Sequence, residues 1–357
     1  MNSFYLSLSN SANAWGNTLV TSGGIRALVP NCISTNAMTI DINGELNAFG
    51  NTVAVNSLVD GSGGAGAVYN KSTTAAGTVV VGGDDSNTTF NGTFGDGANR
   101  ALNLTKVGAG IMTLSATSTN TGTVAVDGGT LAMTGTGSFG NAATIAVGTG
   151  ATLDVSGRGD STLSLNSGQT LRHSGASVGP ITVTGNVTVG SGVVLLGLNR
   201  TNAPATNDSV AVSGTFTAGG TLTVTNLGPV LAVGNSFQLF PGAVSGFGTV
   251  NLQTVDAANN VQYTWNNTLG SNGKITVASV VPLVNTNAPT VQVSVSGSTL
   301  SLAWPTNAGW TLLTNSVSLS QTNQWFPYPN SANLTNVNIT IDPTKTNVFF
   351  KMVYPYP

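Results

Sequence analysis

The chain has 357 residues, of which only 6% are charged, and its net charge is −2. Hydrophobic residues make up 40% of the chain, more than disordered sequences contain, yet no run approaches the roughly 18 apolar residues of a membrane-spanning helix. Acidic and basic residues are scattered singly, without the basic patch that nucleic acid requires. We therefore expect no membrane span, no nucleic-acid partner and little electrostatic repulsion between copies of the chain.

Short strands are predicted from the beginning of the chain. Residues 4–8 alternate apolar and polar side chains, and Met38, Ile40 and Ile42 would share one face of a later strand. Cys32 is the only cysteine, so an intramolecular disulfide is excluded. We expect Cys32 to be a buried, inert thiol; a reactive or intermolecular thiol is the alternative.

The most regular stretch is 104–133. It contains three short alternating runs separated by corners that carry Gly or Asn, and the runs are 111–114, 123–126 and 130–133. Period-2 alternation is typical of a strand with one buried face. The corner residues tolerate the positive φ that sharp turns require. We interpret this stretch as one coil of a β-solenoid, in which each strand would pair with its equivalent in the next coil.

The same pattern continues with a measurable rhythm. Two interleaved sets of strands are centred near Val124, Ile145, Leu163 and Ile181, and near Leu131, Leu153, Leu171 and Val187. A repeat of about 20 residues with two or more short strands has the length of one solenoid turn. An antiparallel sandwich would also give short strands between turns. The recurring spacing and composition of the corners favour the solenoid.

The composition changes toward the C-terminus. The last coil is predicted to end near Trp265, which would cover the open core, and the proline-containing stretch 280–289 is predicted to be a linker. Residues 290–357 hold three of the five tryptophans and alternate like a small antiparallel β-sandwich. The predicted organisation is therefore a parallel β-helix over 1–279, a linker over 280–289 and an aromatic-rich β module over 290–357.

The stretch 104–133 resembles the autotransporter-associated β-strand repeat, also called the passenger-associated transport repeat, whose usual form is close to LTKxGxGTLTLSGxNTYTGxTxVxGGTLxL. The matching residues are Leu104-Thr105-Lys106, Gly108, Gly110, Thr113-Leu114-Ser115, Asn120-Thr121-Gly122 and Gly128-Gly129-Thr130-Leu131. Flanking phrases at 79–97 and 208–240 are similar to parts of such proteins, so the resemblance covers residues 15–278. It implies a secreted, right-handed parallel β-helix and no enzyme. It does not extend to the family's translocator domain, for which residues 290–357 are too short.

The first sixteen residues, MNSFYLSLSNSANAWG, lack the basic region and the unbroken apolar core of a signal peptide. The resemblance nevertheless implies secretion. We therefore expect an extracellular or cell-surface protein whose signal peptide precedes this numbering or has been removed.

Parallel β-helices often host polysaccharide lyases and hydrolases, which need clustered carboxylates. Most aspartates of this chain stand beside Gly or Ser at corners, where they are expected to hydrogen-bond their own turns. Asp84, Asp85 and Asp96 come nearest to a Ca²⁺ site, although a turn is the favoured interpretation. The sequence therefore predicts no catalytic, cofactor-binding or metal site, and no enzyme activity.

His173 is the only histidine. We expect it to face solvent on the surface of a coil, with Arg172 and Asp160 as conceivable neighbours in adjacent coils. A single histidine leaves no zinc triad. The prediction for His173 is therefore a surface residue without a chemical role.

These observations predict a structural solenoid that associates with copies of itself, end to end or laterally, as an extracellular filament or fibre. An adhesin or glycan-binding stalk that reads surface glycans through its C-terminal module is the alternative, and a carbohydrate-active enzyme ranks last. The module's aromatic residues could instead form its core. The candidate contact residues are Phe4, Tyr5, Trp310, Trp325, Tyr354 and Tyr356.

Overall fold

The computed structural model of the protein describes residues 4–11, 13–33, 35–97, 100–202, 206–283, 289–305, 310–331 and 334–354. It contains two compact units, divided after Val280. The first is a parallel β-solenoid of about 10 turns and the second consists of small antiparallel sheets, which confirms the predicted fold class. The described residues contain one short α-helix, α1 (Leu269–Asn272), and one 3₁₀ turn (Thr322–Gln324).

The strands of the first unit are β1 (Tyr5–Leu8), β2 (Thr18–Ala27), β3 (Met38–Asn47), β4 (Thr52–Val55), β5 (Leu58–Asp60), β6 (Ala67–Tyr69), β7 (Gly77–Val81), β8 (Thr88–Phe90), β9 (Thr93–Gly95), β10 (Leu102–Lys106), β11 (Ile111–Leu114), β12 (Thr123–Val126), β13 (Thr130–Gly135), β14 (Thr144–Val147), β15 (Thr152–Arg158), β16 (Thr162–Leu165), β17 (Thr170–His173), β18 (Pro180–Thr184), β19 (Asn186–Val189), β20 (Val193–Leu198), β21 (Ser209–Val212), β22 (Phe216–Thr217), β23 (Thr221–Asn226), β24 (Ser236–Gln238), β25 (Thr249–Leu252), β26 (Val255–Asp256), β27 (Val261–Thr268) and β28 (Lys274–Pro282). Those of the second unit are β29 (Gln292–Ser296), β30 (Thr299–Ala303), β31 (Thr311–Asn315), β32 (Phe326–Pro327), β33 (Asn336–Thr340) and β34 (Phe349–Val353).

Four parallel sheets build the solenoid. The longest has nine strands in the order β25-β23-β20-β17-β14-β12-β10-β7-β4 and is called the long sheet below. Two six-stranded sheets and a three-stranded sheet form the other faces: β21-β18-β15-β13-β11-β8, β1-β2-β3-β6-β9 with β5 beside β3, and β16-β19-β22. Each strand therefore hydrogen-bonds to equivalents in neighbouring coils, as the period-2 pattern predicts.

The core is a set of aliphatic columns that run along the solenoid. One column of the long sheet pairs Leu104, Val124, Ile145, Leu171, Val194, Leu222 and Val250 in register. The first six are no more than 1% exposed. Leu131 and Leu153, which are paired in the neighbouring sheet, are also completely buried, as predicted. Burial of each such side chain contributes roughly 1.5–3 kcal/mol, and contacts to adjacent coils add along the axis.

The predicted number of residues per coil, and the predicted assignment of strands to faces, are wrong in part. Along that column the successive steps are 20, 21, 26, 23, 28 and 28 residues, so the coils are unequal in length and mostly longer than the predicted repeat. Leu171, not Leu163, pairs with Ile145, while Leu163 pairs with Val187 in the three-stranded sheet. The strand that contains Leu163 therefore belongs to a third face of the solenoid, which a pattern of two alternating strand sets does not reveal.

The predicted orientation of Ile42 is also wrong. It was expected beside Met38 and Ile40 on one inward face, but it is 61% exposed whereas the other two are completely buried. The register between β2 and β3 shifts between Val20 and Ser22. Because a bulge inserts one residue, it reverses which side chains point inward beyond it.

Acidic and amide side chains at the corners tie each coil to the next. Oxygens of Asp60, Asp85 and Asp96 accept hydrogen bonds from the backbone N–H groups of Asn91 (2.8 Å), Ala109 (2.6 Å) and Thr121 (3.0 Å). The own-turn bonding expected for the aspartates occurs at Asp84 and Asp154, which accept bonds from the N–H groups of Ser86 (3.1 Å) and Ser156 (2.9 Å). These side chains therefore satisfy corner N–H groups that the strand ladders leave unpaired.

The C-terminal end of the solenoid is closed by an antiparallel sheet in the order β24-β28-β27-β26. Trp265 packs against the solenoid core, as predicted, and its indole Nε1 donates to the carbonyl of Gln253 (2.8 Å). Beneath it the Asp256 carboxylate is buried, and one of its oxygens accepts from Asn226 (2.9 Å), Asn259 (2.8 Å) and Tyr263 (3.1 Å). We call this sheet with its polar network the C-terminal cap.

The second unit contains two three-stranded antiparallel sheets, β29-β30-β33 and β32-β31-β34. Its core consists of Leu302, Trp304, Leu312 and Val337. The module is therefore antiparallel, as predicted, and Trp304 lies in this core cluster.

Candidate functional site

Strand β1 is the edge strand of its sheet within the described residues. Among the described residues β1 pairs only with β2, and Leu6, Ile25 and Leu46 align in one inward column. Leu46 is completely buried and Ile25 is 8% exposed, but Leu6 is 63% exposed because no described coil covers it. Phe4, a predicted contact residue, is 88% exposed at the same edge. Within the part of the chain that the structure describes, the apolar column is therefore exposed at β1.

The Tyr5 side chain, unlike those of Phe4 and Leu6, is held by polar contacts to the solenoid. Its Oη donates to Glu45, and the Lys71 ammonium donates to Tyr5 Oη (2.8 Å) and pairs with Glu45. The Arg26 guanidinium lies 4.2 Å above the centre of the Tyr5 ring. Burial and the hydrogen bond to Glu45 raise the pKa of Tyr5. The sequence identified Tyr5 as an association contact, but the structure uses it to hold β1 on the first coil.

The aromatic candidates of the second unit fall into different environments. Trp310 is buried, and its ring centre lies 5.7 Å from that of Tyr354. The structure therefore favours a role for Trp310 in the core of the module over a role in ligand contact. Trp325 is partly exposed, and the Lys351 ammonium lies 4.3 Å from the centre of its ring. Tyr356 lies outside the described residues. Trp325 and Tyr354 are both partly exposed, so each of these two aromatic side chains could meet a ligand.

A cleft of about 380 Å³ lies between the two sheets of the second unit. Leu300, Tyr328 and Phe350 supply apolar walls, while Asp342 and Lys345 bring charge to the rim. The volume is within the range of small-molecule pockets.

His173 is the main correction to the predicted site residues. It was expected to face solvent but is 4% exposed. It is the last residue of β17 and pairs in register with Val147, which pairs with Val126. Lys106 precedes Val126 in this column. Two polar residues thus stand in an inward aliphatic column, a placement that the alternation of Leu171 and His173 already indicates.

The buried ammonium of Lys106 is satisfied by the backbone. It donates to the carbonyls of Val107 (2.6 Å), Gly108 (3.1 Å) and Gly128 (3.3 Å), the last of which belongs to the next coil. Burial lowers the pKa of Lys106, which the charges of Asp85 and Asp84 partly offset. Because three N–H donors meet three acceptors, this lysine has a structural role.

His173 lies beside a buried carboxylate that sequence reasoning missed. Its Nδ1 is 4.0 Å from Oδ1 of Asp208, whose side chain is 5% exposed, and Nδ1 has no hydrogen-bond partner. The oxygens of Asp208 accept backbone N–H bonds from Gly179 (2.9 Å) and Gly197 (2.7 Å). Burial raises the pKa of Asp208 despite these bonds. Asp160, the carboxylate imagined near His173, instead pairs with Arg158 (3.0 Å).

The pair lies at the base of a cavity of about 330 Å³, which we call the His173 pocket. Arg172, Leu195, Thr225 and Leu227 contribute to its walls. Asp208 is 35 positions from His173 and follows the polar stretch 199–207, so no local motif could have joined them. The pocket brings together one imidazole, one carboxylate and one guanidinium.

The other ring nitrogen of His173, Nε2, lies 3.0 Å from Oγ1 of Thr149. A hydroxyl, an imidazole and a carboxylate in this order are the groups of a nucleophilic triad. Thr149, however, does not line the pocket, and a Cβ placed on Gly179 would lie 2.0 Å from the hydroxyl oxygen. Because the backbone at Gly179 packs against that oxygen, the arrangement supports ligand binding better than nucleophilic attack.

The predicted calcium alternative finds no support in the positions of its residues. Asp84 and Asp85 accept hydrogen bonds at corners, and Asp96 joins two coils. No three His, Cys, Asp or Glu residues form a metal-binding group within the described ranges. None of the helical segments in those ranges has the length and apolar character needed to cross a bilayer.

A comparison with protein-family models finds no match for this chain. A search of curated proteins finds no match either. The resemblance to the autotransporter-associated repeat therefore stays a prediction about family, while the solenoid coil inferred from the same residues is confirmed.

Proposed function

We propose that the protein is a structural, non-enzymatic β-solenoid, extracellular or at the cell surface, that associates with copies of itself as a filament. The edge of β1, which pairs only with β2 among the described residues, is the observation that carries this proposal. There the inward apolar column ends with an exposed Leu6, and a strand with unpaired backbone groups is a template for another strand. The resemblance to a secreted repeat supports the location.

The backbone of β1 offers a second strand specific hydrogen bonds. The carbonyls of Phe4 and Leu8 accept from the N–H groups of Gly24 and Leu28, so the groups of these alternate residues face β2. In a parallel ladder the intervening residues point to the other side, which leaves the N–H and C=O of Tyr5 and Ser7 facing away from the coil. An incoming strand would pair with these groups and cover Leu6.

The second unit supplies a complementary edge. In the order β29-β30-β33, β29 is an edge strand, and Val293 and Val295 on it are 64% and 62% exposed. A contact between β1 of one copy and β29 of the next would use two different surfaces. Such heterologous contacts generate a filament when the rotation between successive copies does not close a ring.

The low charge of the chain permits this contact. Ten basic and twelve acidic residues are spread over 357 positions, so copies repel one another weakly. Lysine is the residue that commonly protects exposed edge strands. Neither β1 nor β29 contains one.

Ser7 allows a clean test. Ser7→Pro removes an N–H that faces away from β2, and proline is tolerated on an edge strand when its nitrogen faces outward. Ser7→Ala retains the N–H and is the matched control. We expect wild type and Ser7→Ala to form filaments in negative-stain micrographs and large species in sedimentation, and we expect Ser7→Pro to remain monomeric.

Val295→Lys tests the contact through β29 and should also prevent filament formation. Dispersed wild-type monomers at all salt concentrations would contradict the proposal. Filaments of Ser7→Pro as long as those of wild type would show that β1 is not the contact.

Two neighbouring aromatic residues on the surface of the second unit favour a glycan-binding stalk as the second candidate function. The exposed side chain of Phe326 and the partly exposed Trp325 are near each other in sequence, and aromatic faces stack on sugar rings. Binding to a glycan array that is lost in Trp325→Ala would support this candidate. Trp310→Ala is unsuitable as a control because Trp310 is buried. Absence of binding at millimolar ligand would eliminate the candidate.

A further inference from the structure

The unpartnered Nδ1 of His173 requires a bonding group. The ring is 4% exposed, so solvent does not solvate this nitrogen freely, and a buried polar atom without a partner is costly. Asp208 Oδ1 is 4.0 Å away, beyond hydrogen-bond distance. A ligand atom placed beside the line between them can be within hydrogen-bond distance of both. His173 and Asp208 both line the pocket, so such an atom could belong to a molecule in it.

The charges of the site select the chemistry of that atom. The Asp208 carboxylate disfavours an anion beside it, and the Arg172 guanidinium disfavours a cation. When Thr149 Oγ1 donates to Nε2, Nδ1 carries the hydrogen and donates. The bridging atom must then accept from His173 and donate to Asp208. A hydroxyl does both and is neutral.

The size and lining of the pocket indicate a ligand that is larger than water and carries both polar and apolar surface. Gly197 occupies an outward-facing position of β20, where a Cβ would lie 2.4 Å from a methyl carbon of Leu227. The absent side chain opens the pocket floor. A volume of about 330 Å³ exceeds the roughly 30 Å³ of a single water many times. Arg172 and Thr225 add further hydrogen-bond donors to the lining, and Leu195 and Leu227 add apolar surface.

We propose that the His173 pocket binds a neutral monosaccharide unit, free or at the end of a glycan. One hydroxyl bridges His173 and Asp208, a neighbouring hydroxyl accepts from Arg172, and the C–H face of the ring packs on Leu195 and Leu227. This site lies on the solenoid and is independent of both the edge contacts and the cleft of the second unit.

The single histidine makes the site directly observable. In protein labelled with ¹³C and ¹⁵N at histidine, the imidazole signals come from His173 alone. We would titrate D-glucose, D-galactose, D-mannose and N-acetyl-D-glucosamine at constant pH, with sodium sulfate and ethanolamine as the charged comparisons. We expect a saturable shift with at least one sugar and none with either ion.

Arg172→Gln tests whether the shift reports binding in this pocket. Arg172 is half-buried at the pocket wall, and loss of a charged hydrogen bond should weaken the sugar about tenfold. Arg100→Gln, in another coil, should bind like wild type. Thr225→Val provides a second pocket variant that is also expected to weaken binding.

Three results would overturn the proposal. The first is the absence of a saturable shift with any sugar at millimolar concentration. The second is a shift with sulfate or ethanolamine alone, which would identify an ion site. The third is unchanged sugar affinity in both Arg172→Gln and Thr225→Val. Sugar binding by the second unit would leave the His173 signal unmoved, so the two sites are distinguishable.

Discussion

Asp256→Asn should open the C-terminal cap of the solenoid. Asp256 is 1% exposed, and one of its oxygens accepts from the side chains of Asn226, Asn259 and Tyr263. An amide at this position presents either an NH₂ to these donors or a neutral oxygen in place of a charged one. The tyrosine hydroxyl can reverse its role, but the two asparagine NH₂ groups cannot. Loss of two charge-assisted bonds amounts to about 3–6 kcal/mol at 1.5–3 kcal/mol each.

Hydrogen exchange followed by mass spectrometry measures this loss where it occurs, because solenoid stability is local. We expect peptides covering β26 to β28 to exchange at least a hundredfold faster in Asp256→Asn, since 1.4 kcal/mol corresponds to a factor of ten. Peptides from β10 to β14 should be unchanged. Asp342→Asn is the matched control, because Asp342 is exposed and bonds only within its own turn.

The same substitution changes the acid sensitivity of the cap. Burial acts to raise the pKa of Asp256, but the hydrogen bonds from Asn226, Asn259 and Tyr263 outweigh it and hold the pKa below its usual range. The resulting stabilisation is therefore complete above the unfolded pKa of about 4 and is lost as the pH falls through the folded value. Wild-type cap protection should decline in that window, and Asp256→Asn should lack the decline. Equal exchange in both proteins, or identical pH profiles, would refute the reasoning.

Three further predictions follow from burial in the solenoid. Leu153→Ala should lower the free energy of unfolding, measured with denaturant, by about 2–5 kcal/mol because it opens a cavity in the core. Thr152→Ala, one position away on the outward face, should change it by less than about 0.5 kcal/mol. Equal effects of the two substitutions would contradict the inward placement of Leu153. Lys106→Met should destabilise by about 1–3 kcal/mol, since three carbonyls lose their donor, and a gain in thermal stability would disprove the structural role of this lysine. Cys32 is completely buried, so Ellman's reagent should label it only under denaturing conditions, and rapid labelling of the native protein would show that the thiol is accessible.

Local periodicity was sufficient to predict the core of the solenoid. Alternation places Leu131 and Leu153 inward, and the register between them is direct. It could not predict coil length, because length is set by how many strands the chain inserts between corners. The strand containing Leu163 has the same alternation as the strands of the two other faces. Only its pairing with Val187 shows that it belongs to a third face.

The candidate site depended on longer-range relationships. The spacing of His173 to Leu171 indicates an inward position, whereas a lone histidine on a coil was assigned to the surface. Its contact with Asp208 was not available, since coils of unequal length decide which residues become neighbours. Alternation and turn chemistry predict the corner aspartates as hydrogen-bond acceptors, but Asp85 bonds to the following coil, and Asp96 bonds both to that coil and to Leu102 in its own coil.

The in-register pairing of β12 with β14 has a consequence for how such a chain changes length over generations. Thr123 aligns with Thr144 and Val124 with Ile145, an offset of 21 residues. Excision of residues 124–144 would join Thr123 directly to Ile145 without exchanging inner for outer positions. Gene segments of this size can therefore be gained or lost as whole modules, which lets a lineage set the reach of the molecule while every surviving neighbour contact keeps its form.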